Sequence, residues 1–443
     1  MKSITKILFL TTIWTISATL VLAQGYQKPP KEIMDVLNSP SIPITSVSPA
    51  KDKLLLLEPV RNPPIADLSE PMLRLAGVRV NPKTNANHRQ RYYINLRLKN
   101  ISDGDEMDIK LPKSAKVISP NWSADGKYIA LGNITSTVVE LWIVETANGN
   151  AKKINNVQLN TAFGGFDWMP DQKSLLVNLV PSNRGPAPPV TTVPTSPSIQ
   201  ETSGRAAAIR TYQDLLTSPN DEKLFDYYAT SQLAIVQISG KIKNLGKPAI
   251  FDENTVSPNG NYILTSRVER PYSYLFPIWS FPNIVQVWDT NGGLIYNVAK
   301  VPIRDNLPVG GVTTSPRSFD WIPTEPATLM WAEALDGGDP RKKAEHRDKL
   351  VYYVVPTKMF PKEIVKTEQR YVGRIFGENK GMMLFYDYDR DSRIRRIFMT
   401  DYNNPEEIKL ISSLNVRDRY NDLGSPVLKT LPNGKNVIQQ NGD

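Results

Sequence analysis

One pattern constrains this chain more than any bulk property. A short turn containing Pro, Gly, Asp or Asn, followed by an apolar β-prone run, recurs seven times. The turns fall at 48–52 (SPAKD), 123–127 (SADGK), 169–173 (MPDQK), 257–261 (SPNGN), 322–326 (IPTEP), 377–381 (GENKG) and 431–435 (LPNGK). Pro-Asp, Asp-Gly and Asn-Gly form turns because they supply preset or left-handed backbone angles. The runs that follow predict strands at 53–57, 128–131, 175–180, 262–266, 328–332 and 382–386. Most repeats then offer a second hairpin, with strands at 138–145 (VVELWIVE), 284–289, 350–355 and 394–400.

Four short strands per repeat is the blade unit of a propeller. A blade cannot bury both faces alone, so neighbours must stack around an axis. A set of β-sandwiches is the competing architecture, and seven returns of one unit weigh against it. The expectation is an all-β chain: a seven-bladed β-propeller over 24–443. Its seventh blade is incomplete, because the sequence stops just after 437–440 (VIQQ) with two strands still due. An unfinished blade leaves an open edge, so the chain reads as a fragment of a longer protein.

The pattern is broken once. Residues 181–219 are rich in Pro, Ser and Thr, including 186–189 (PAPP), and predict loop or polyproline-like backbone. Within and after that stretch, 206–216 and 221–228 have helical spacing. The expectation is an insertion at about 181–231 in the third blade, lying over one face, where long loops often act as lids or contacts.

The amino terminus carries a leader. Lys2 and Lys6 precede an apolar run at 7–22, and Ala23 stands before Gln24, which predicts a signal peptide at 1–23 and export to the periplasm or beyond. An uncleaved anchor is the rival reading, since the run is near the short end of a spanning helix. No later segment is long and apolar enough to span, so no membrane contact is expected after cleavage. The absence of Cys removes lipoprotein anchoring and disulfides, leaving burial and strand pairing to hold the fold. The net charge of +9, less the two leader lysines, could serve acidic ligands; export disfavours nucleic acid, and most such charge is solvated surface.

Catalytic signals are missing. Nucleophilic hydrolysis needs a Ser or Cys beside an oriented base, yet no Gly-x-Ser-x-Gly elbow occurs. The two histidines, His88 and His346, read as exposed loop residues and cannot form a His/Cys zinc site. The segment 387–391 (DYDRD) lacks the glycine and distal Glu of a calcium loop and reads as a solvated hairpin tip. No catalytic residue, metal or cofactor is expected in this chain.

Specific motifs carry a resemblance. They are 30–33 (PKEI), 47–49 (VSP), 54–58 (LLLLE), 63–68 (PPIADL), 73–77 (LRLAG), 211–216 (TYQDLL) and 225–228 (FDYY). The most specific follow: 270–274 (RPYSY), 287–289 (VWD), 315–317 (SPR), 326–329 (PATL) and 331–340 (WAEALDGGDP). From about residue 28 onward the chain resembles the propeller portion of glutamyl endopeptidase-like serine peptidases of the prolyl oligopeptidase family. The resemblance implies a propeller that roofs a C-terminal α/β-hydrolase domain holding the Ser-Asp-His triad. The sequence ends before that domain, so no triad residue can be carried over.

In such a protein the propeller screens peptide substrates by size and contributes side chains to their cavity. Preference for Glu implies a cation facing the substrate carboxylate, a task that suits a bidentate Arg. Arg270, flanked by Tyr272 and Tyr274, and Arg317 are the candidates; structural pairing between blades is the competing account. The function expected is substrate gating and recognition for an exported peptidase cleaving after Glu, inactive as this fragment. The alternative is a stand-alone periplasmic propeller that binds a protein partner, which the cut seventh blade argues against. An exopeptidase of the same family would need a cluster reading the free amine, and no paired-Glu loop marks one.

Overall fold

The structure is a computed structural model that describes residues 28–190, 211–357 and 359–441. The predicted leader and the 206–210 part of the predicted helix lie outside the described residues. The chain divides into two units, Met1–Ile42 and Pro43–Asp443. The described part of the first contains the helix Lys31–Leu37, none of whose residues is buried. All that follows concerns the second.

The second unit is built from antiparallel four-stranded meanders. The first comprises Ile44–Val47, Lys53–Pro59, Tyr93–Asn100 and Glu106–Asp108. The second comprises Val117–Trp122, Tyr128–Ile134, Val139–Glu145 and Ala151–Lys153. The third pairs Phe166–Trp168, Ser174–Leu179, Thr230–Gln237 and Ile242–Asn244. The fourth pairs Ala249–Val256, Tyr262–Val268, Asn283–Asp289 and Leu294–Val301. The fifth runs Arg317–Trp321, Thr328–Ala334, Asp348–Val354 and Lys362–Thr367. The sixth runs Arg370–Phe376, Met382–Asp389, Ile394–Asp401 and Asn404–Asn415. A hairpin of Leu428–Thr430 and Asn436–Ile438 follows. Single short ladders, Tyr93 to Val117 and Thr230–Ser231 to Ala249–Ile250, join the first two meanders and the third to the fourth.

Apolar side chains fill the spaces between successive meanders. Leu55, Leu57, Leu96 and Leu98 of the first meet Val117, Ile129, Leu131 and Val144 of the second. Leu264, Val285 and Val287 of the fourth meet Leu329, Trp331 and Val351 of the fifth. A strand covered on both faces needs no polar alternation, which is why Ser174–Leu179 is buried at every position. A recurring Trp ties first strands together. Trp122 Nε1 donates to Ser46 Oγ at 3.0 Å, Trp168 Nε1 to the Asn121 carbonyl at 3.0 Å, and Trp321 Nε1 to the Thr255 carbonyl at 3.3 Å. In each pair the partner belongs to the preceding meander.

The first six turns also touch in succession, while the seventh meets the third and fifth: Gln172 Nε2 donates to the Pro432 carbonyl at 3.4 Å and Asn433 Nδ2 to the Pro323 carbonyl at 2.9 Å. Ala50 lies against Gly126. Ala124 N donates to Gln172 Oε1 at 2.5 Å, and Gly260 faces Pro170. Asn259 N donates to the Pro326 carbonyl at 2.9 Å, and Lys380 pairs with Glu325 at 3.1 Å. Asn379 N bonds Gln440 Oε1 at 2.9 Å, and Lys51 Nζ returns to Gln439 Oε1 at 3.0 Å.

Three corrections to the sequence reading arise here. Residues 211–216 are not helical; the helix spans Pro219–Ala229, capped by Ser218 with Pro219 in its first turn. Asp214 adopts a left-handed φ of 59°, its carboxylate taken by Arg79 at 2.7 Å and Arg74 at 3.3 Å and its carbonyl by Gly77 N at 2.8 Å. These tertiary pairings override local helical spacing. Second, Asp387 is fully buried and grips Arg396 with bonds of 2.9 and 2.6 Å, so only Asp389 and its neighbours form the hairpin tip. Third, His88 and His346 are half-buried rather than exposed, and His88 Nε2 meets the Glu70 carbonyl at 2.9 Å.

Candidate functional site

In an antiparallel meander, successive connections alternate between the two ends of the strands. The seven turns join first to second strands and lie at one end. Connections from second to third strands therefore lie at the other, and four of the six are long: 60–92, 180–229, 269–282 and 335–347. Three of these build a cap with its own core. Leu75, Ala76 and Val80 from the first, Leu224, Phe225 and Tyr228 from the second, and Ile278 and Phe281 from the third pack together. Gly77 is required at their junction: its φ is 86°, and a Cβ there would sit 2.5 Å from Pro277 Cβ. Arg184 adds a polar tie, donating to Asn85 Oδ1 at 2.8 Å while its guanidinium lies 4.2 Å from the Tyr227 ring centroid.

Arg270, Tyr272 and Tyr274 stand on the 269–282 connection of this cap. Arg270 forms a fork with the helix Pro219–Ala229, bonding Glu222 and, at 2.6 Å, Asp226. Its guanidinium also covers the Tyr272 ring at 4.3 Å. The Tyr272 hydroxyl donates to Asp226 Oδ1 at 2.5 Å, and its ring stacks on Phe281 at 5.2 Å. Burial first, then the Asp226 bond, pushes the Tyr272 hydroxyl upward. Burial and the Glu222 carboxylate hold Tyr274 at about 12. Arg270 thus spends its charge on two carboxylates of its own chain, although half its side chain (51%) meets solvent.

Arg317 lies elsewhere, at the start of the first strand of the fifth meander, with a side chain 14% exposed. Its Nη2 is 2.8 Å from Asp348 Oδ2, but neither Nη atom makes a well-aligned hydrogen bond. Asp348 is fully buried and also holds Arg370 Nη1 at 2.8 Å and Tyr371 N at 2.7 Å. Asp336, of the 331–340 motif, binds Arg347 at 3.0 Å and Arg370 at 2.5 Å. The structure thus groups Arg270 with Tyr272 and Tyr274, and places Arg317 in a separate arginine–carboxylate network.

Two recesses were not foreseen. A cleft of about 380 Å³ is lined by Asp167, Asp252 and Glu253 on the first strands of the third and fourth meanders. The Glu253 side chain reaches solvent, yet surrounding protein lifts its carboxyl to about 7, through desolvation first and then the charges of Asp252 and Asp320. The larger cleft, about 830 Å³, lies between the 60–92 connection and the second meander. One wall holds Asp67, which accepts from Lys116 at 2.6 Å and Tyr92 at 2.8 Å. Burial raises the Asp67 carboxyl, but these two bonds outweigh it and leave the net shift downward. Burial and Asp67 push Tyr92 up to about 12. The sequence signal for this cleft was the basic run at 89–91, which has no periodicity to attract notice. Among the described residues, no group of three or more His, Asp or Glu is placed to hold a metal ion.

Face-packed four-stranded meanders, linked turn to turn, define a β-propeller. No family model matches the sequence. Two relatives do: the probable chloroplastic glutamyl endopeptidase of Oryza sativa subsp. japonica, 33% identical over 435 residues, and that of Arabidopsis thaliana, 33% identical over 440. These alignments take in 94% and 95% of this chain but 46% and 45% of the relatives, so the chain spans under half their length. Along nearly its whole length the chain is therefore similar to the first half of probable glutamyl endopeptidases. Among solved structures it is similar to Porphyromonas gingivalis dipeptidyl peptidase 4 (10% identity, TM-score 0.47, 88% of this chain and 47% of that one). It is also similar to the β-propeller domain of the Pyrococcus furiosus Trilobed protease (12%, 0.40, 84% of each). Such distant likenesses add nothing to the assignment.

Proposed function

We propose that this chain is the substrate-gating and substrate-recognition propeller of an exported serine peptidase that cleaves peptides after Glu. The observation that carries the reading is the 33% identity to probable glutamyl endopeptidases along nearly the whole chain. The six meanders and the final hairpin act as seven blades, the last contributing its first two strands. Gln440 and Gln439, just past the hairpin, bond Asn379 of the sixth turn and Lys51 of the first, which supports that count. The Ser, Asp and His of catalysis belong to an α/β-hydrolase domain in the length of the relatives that this chain does not span. Alone, the chain leaves peptides intact.

Within this scheme the two arginines divide their work. Arg270 braces the cap through Glu222 and Asp226. Arg317 keeps two Nη atoms without an aligned acceptor beside Asp348, but both are closed off from solvent, so a substrate carboxylate reaches them only where docking of the hydrolase domain opens this seam. The test is to express the entire coding sequence, including anything downstream of Asp443, and digest peptides carrying single Glu or Gln residues. Cleavage after Glu supports the reading; a well-folded product that cleaves neither removes it.

A further inference from the structure

The larger cleft holds positive charge that the chain itself does not use. Four cations line it, Arg61, Arg89, Arg91 and Lys116, against the carboxylates of Asp67 and Glu70. Both acids are already matched, Asp67 by Lys116 at 2.6 Å and Glu70 by Lys83 at 3.1 Å. Among the described residues Arg89 donates only to the Leu68 carbonyl, at 3.3 Å. Arg61 and Arg91 make no ion pair or side-chain hydrogen bond among the described residues, and both are exposed. The wall behind them is fixed: Lys116 lies 5.2 Å from the Tyr92 ring centroid, and its backbone N–H donates to Asn133 Oδ1 at 3.0 Å.

We propose that this cleft binds the side-chain carboxylates of an acidic peptide, with Arg61 and Arg91 as the recognising groups. Its volume falls in the range of preformed ligand sites. Guanidinium forks suit carboxylates geometrically, and Val60, Leu68 and Ile134 offer apolar surface for the methylenes of Glu. A nucleic acid backbone fits less well, because Asp67 and Glu70 on the wall repel a continuous run of phosphates. The choice of a peptide as ligand rests on the peptidase reading; the unspent charge in the cleft does not. The cleft lies at the same end of the strands as the cap, where the long connections gather.

The test is fluorescence anisotropy of the purified chain with labelled hexaglutamate and hexaglutamine at low salt. Hexaglutamate should bind at least ten-fold more tightly, and the preference should fade as salt rises. Arg61→Gln and Arg91→Gln should each weaken binding by about two- to five-fold, the range for exposed charge pairs, and the double variant should remove the preference. Arg61→Lys should retain part of it, and Lys173→Gln, at the opposite end of the strands, should change nothing. A thermal melt checks that every variant is folded. Equal affinity for the two peptides, an unaffected folded double variant, or stronger binding to single-stranded oligonucleotide would overturn the proposal. Binding of hexaglutamate by a whole protein that does not cleave after Glu would remove the peptidase reading and leave the cleft assignment standing. Cleavage after Glu with no charge-dependent binding here would do the reverse.

Discussion

Asp348 and Arg370 meet at 2.8 Å across the seam between the fifth and sixth meanders, with the carboxylate wholly removed from solvent. Asp348 also accepts from the Tyr371 backbone and faces Arg317, while Arg370 reaches back to Asp336. One acid therefore holds the start of one meander against the third strand of the previous one. Removing it strands two poorly hydrated guanidinium groups. Asp348→Ala should cost about 3–5 kcal/mol, as for other broken buried pairs, seen as a clear fall in denaturation midpoint. A loss under about 1 kcal/mol would mean that water replaces the carboxylate there.

The cap should behave as a packed body. Phe225 is fully buried and meets Phe163, Tyr272 and Phe281 edge-on or nearly so. Phe225→Ala should cost about 3–5 kcal/mol and should speed protease cutting within 181–229 more than it affects the meanders. Unchanged cutting would show that the connections fold independently of this core.

Arg270 and Arg317 should separate kinetically in the whole protein. Arg317→Ala should lower kcat/KM for Glu peptides by about ten- to a hundred-fold, the value of a charge-assisted pair at about 1.5–3 kcal/mol, and spare Gln peptides. Arg270→Ala should affect both alike and modestly, because its half-exposed pairs with Glu222 and Asp226 are braces. Equal losses for Glu and Gln in Arg317→Ala would move recognition elsewhere.

Much of this was legible in the sequence, and the reason differs by part. The second strands stood out because both faces are buried, so Tyr128–Ile134 and Ser174–Leu179 read as mainly apolar runs after a turn signal. The three-stranded Leu73–Asn87 sheet did not stand out, since its short strands hold together only through packing against the helix Pro219–Ala229 and Ile278. Tyr272 and Arg270 could be read together because they are two positions apart. Their partners Glu222 and Asp226 are more than 40 residues away, a pairing no local pattern carries. The Asn-Trp and Asp-Trp pairs before three of the turns were visible, but their role needs a neighbouring meander to receive the indole N–H.

The acids of the smaller cleft give a pH dependence. Glu253 has its folded-state pKa raised from the usual carboxylate range to about 7, with Asp252, Asp320 and Asp167 as its acidic neighbours. A raised carboxylate pKa means that the stability it contributes is complete below about 4.5 and is lost as pH climbs through about 7. Because solvent reaches the group, the effect is small. Glu253→Gln should raise Tm by about 1–2 °C at pH 8 and leave it unchanged at pH 4.5. A gain at both pH values would point to packing instead of charge.

The central claim is that this propeller serves a peptidase that cuts after Glu. The most direct measurement is mass spectrometry of peptide digests by the whole protein, beside the chain ending at Asp443. The account predicts products ending in Glu from the whole protein and intact peptides from the shorter chain. Products lacking that preference, or turnover by the shorter chain that a single Ser substitution within it abolishes, would contradict it.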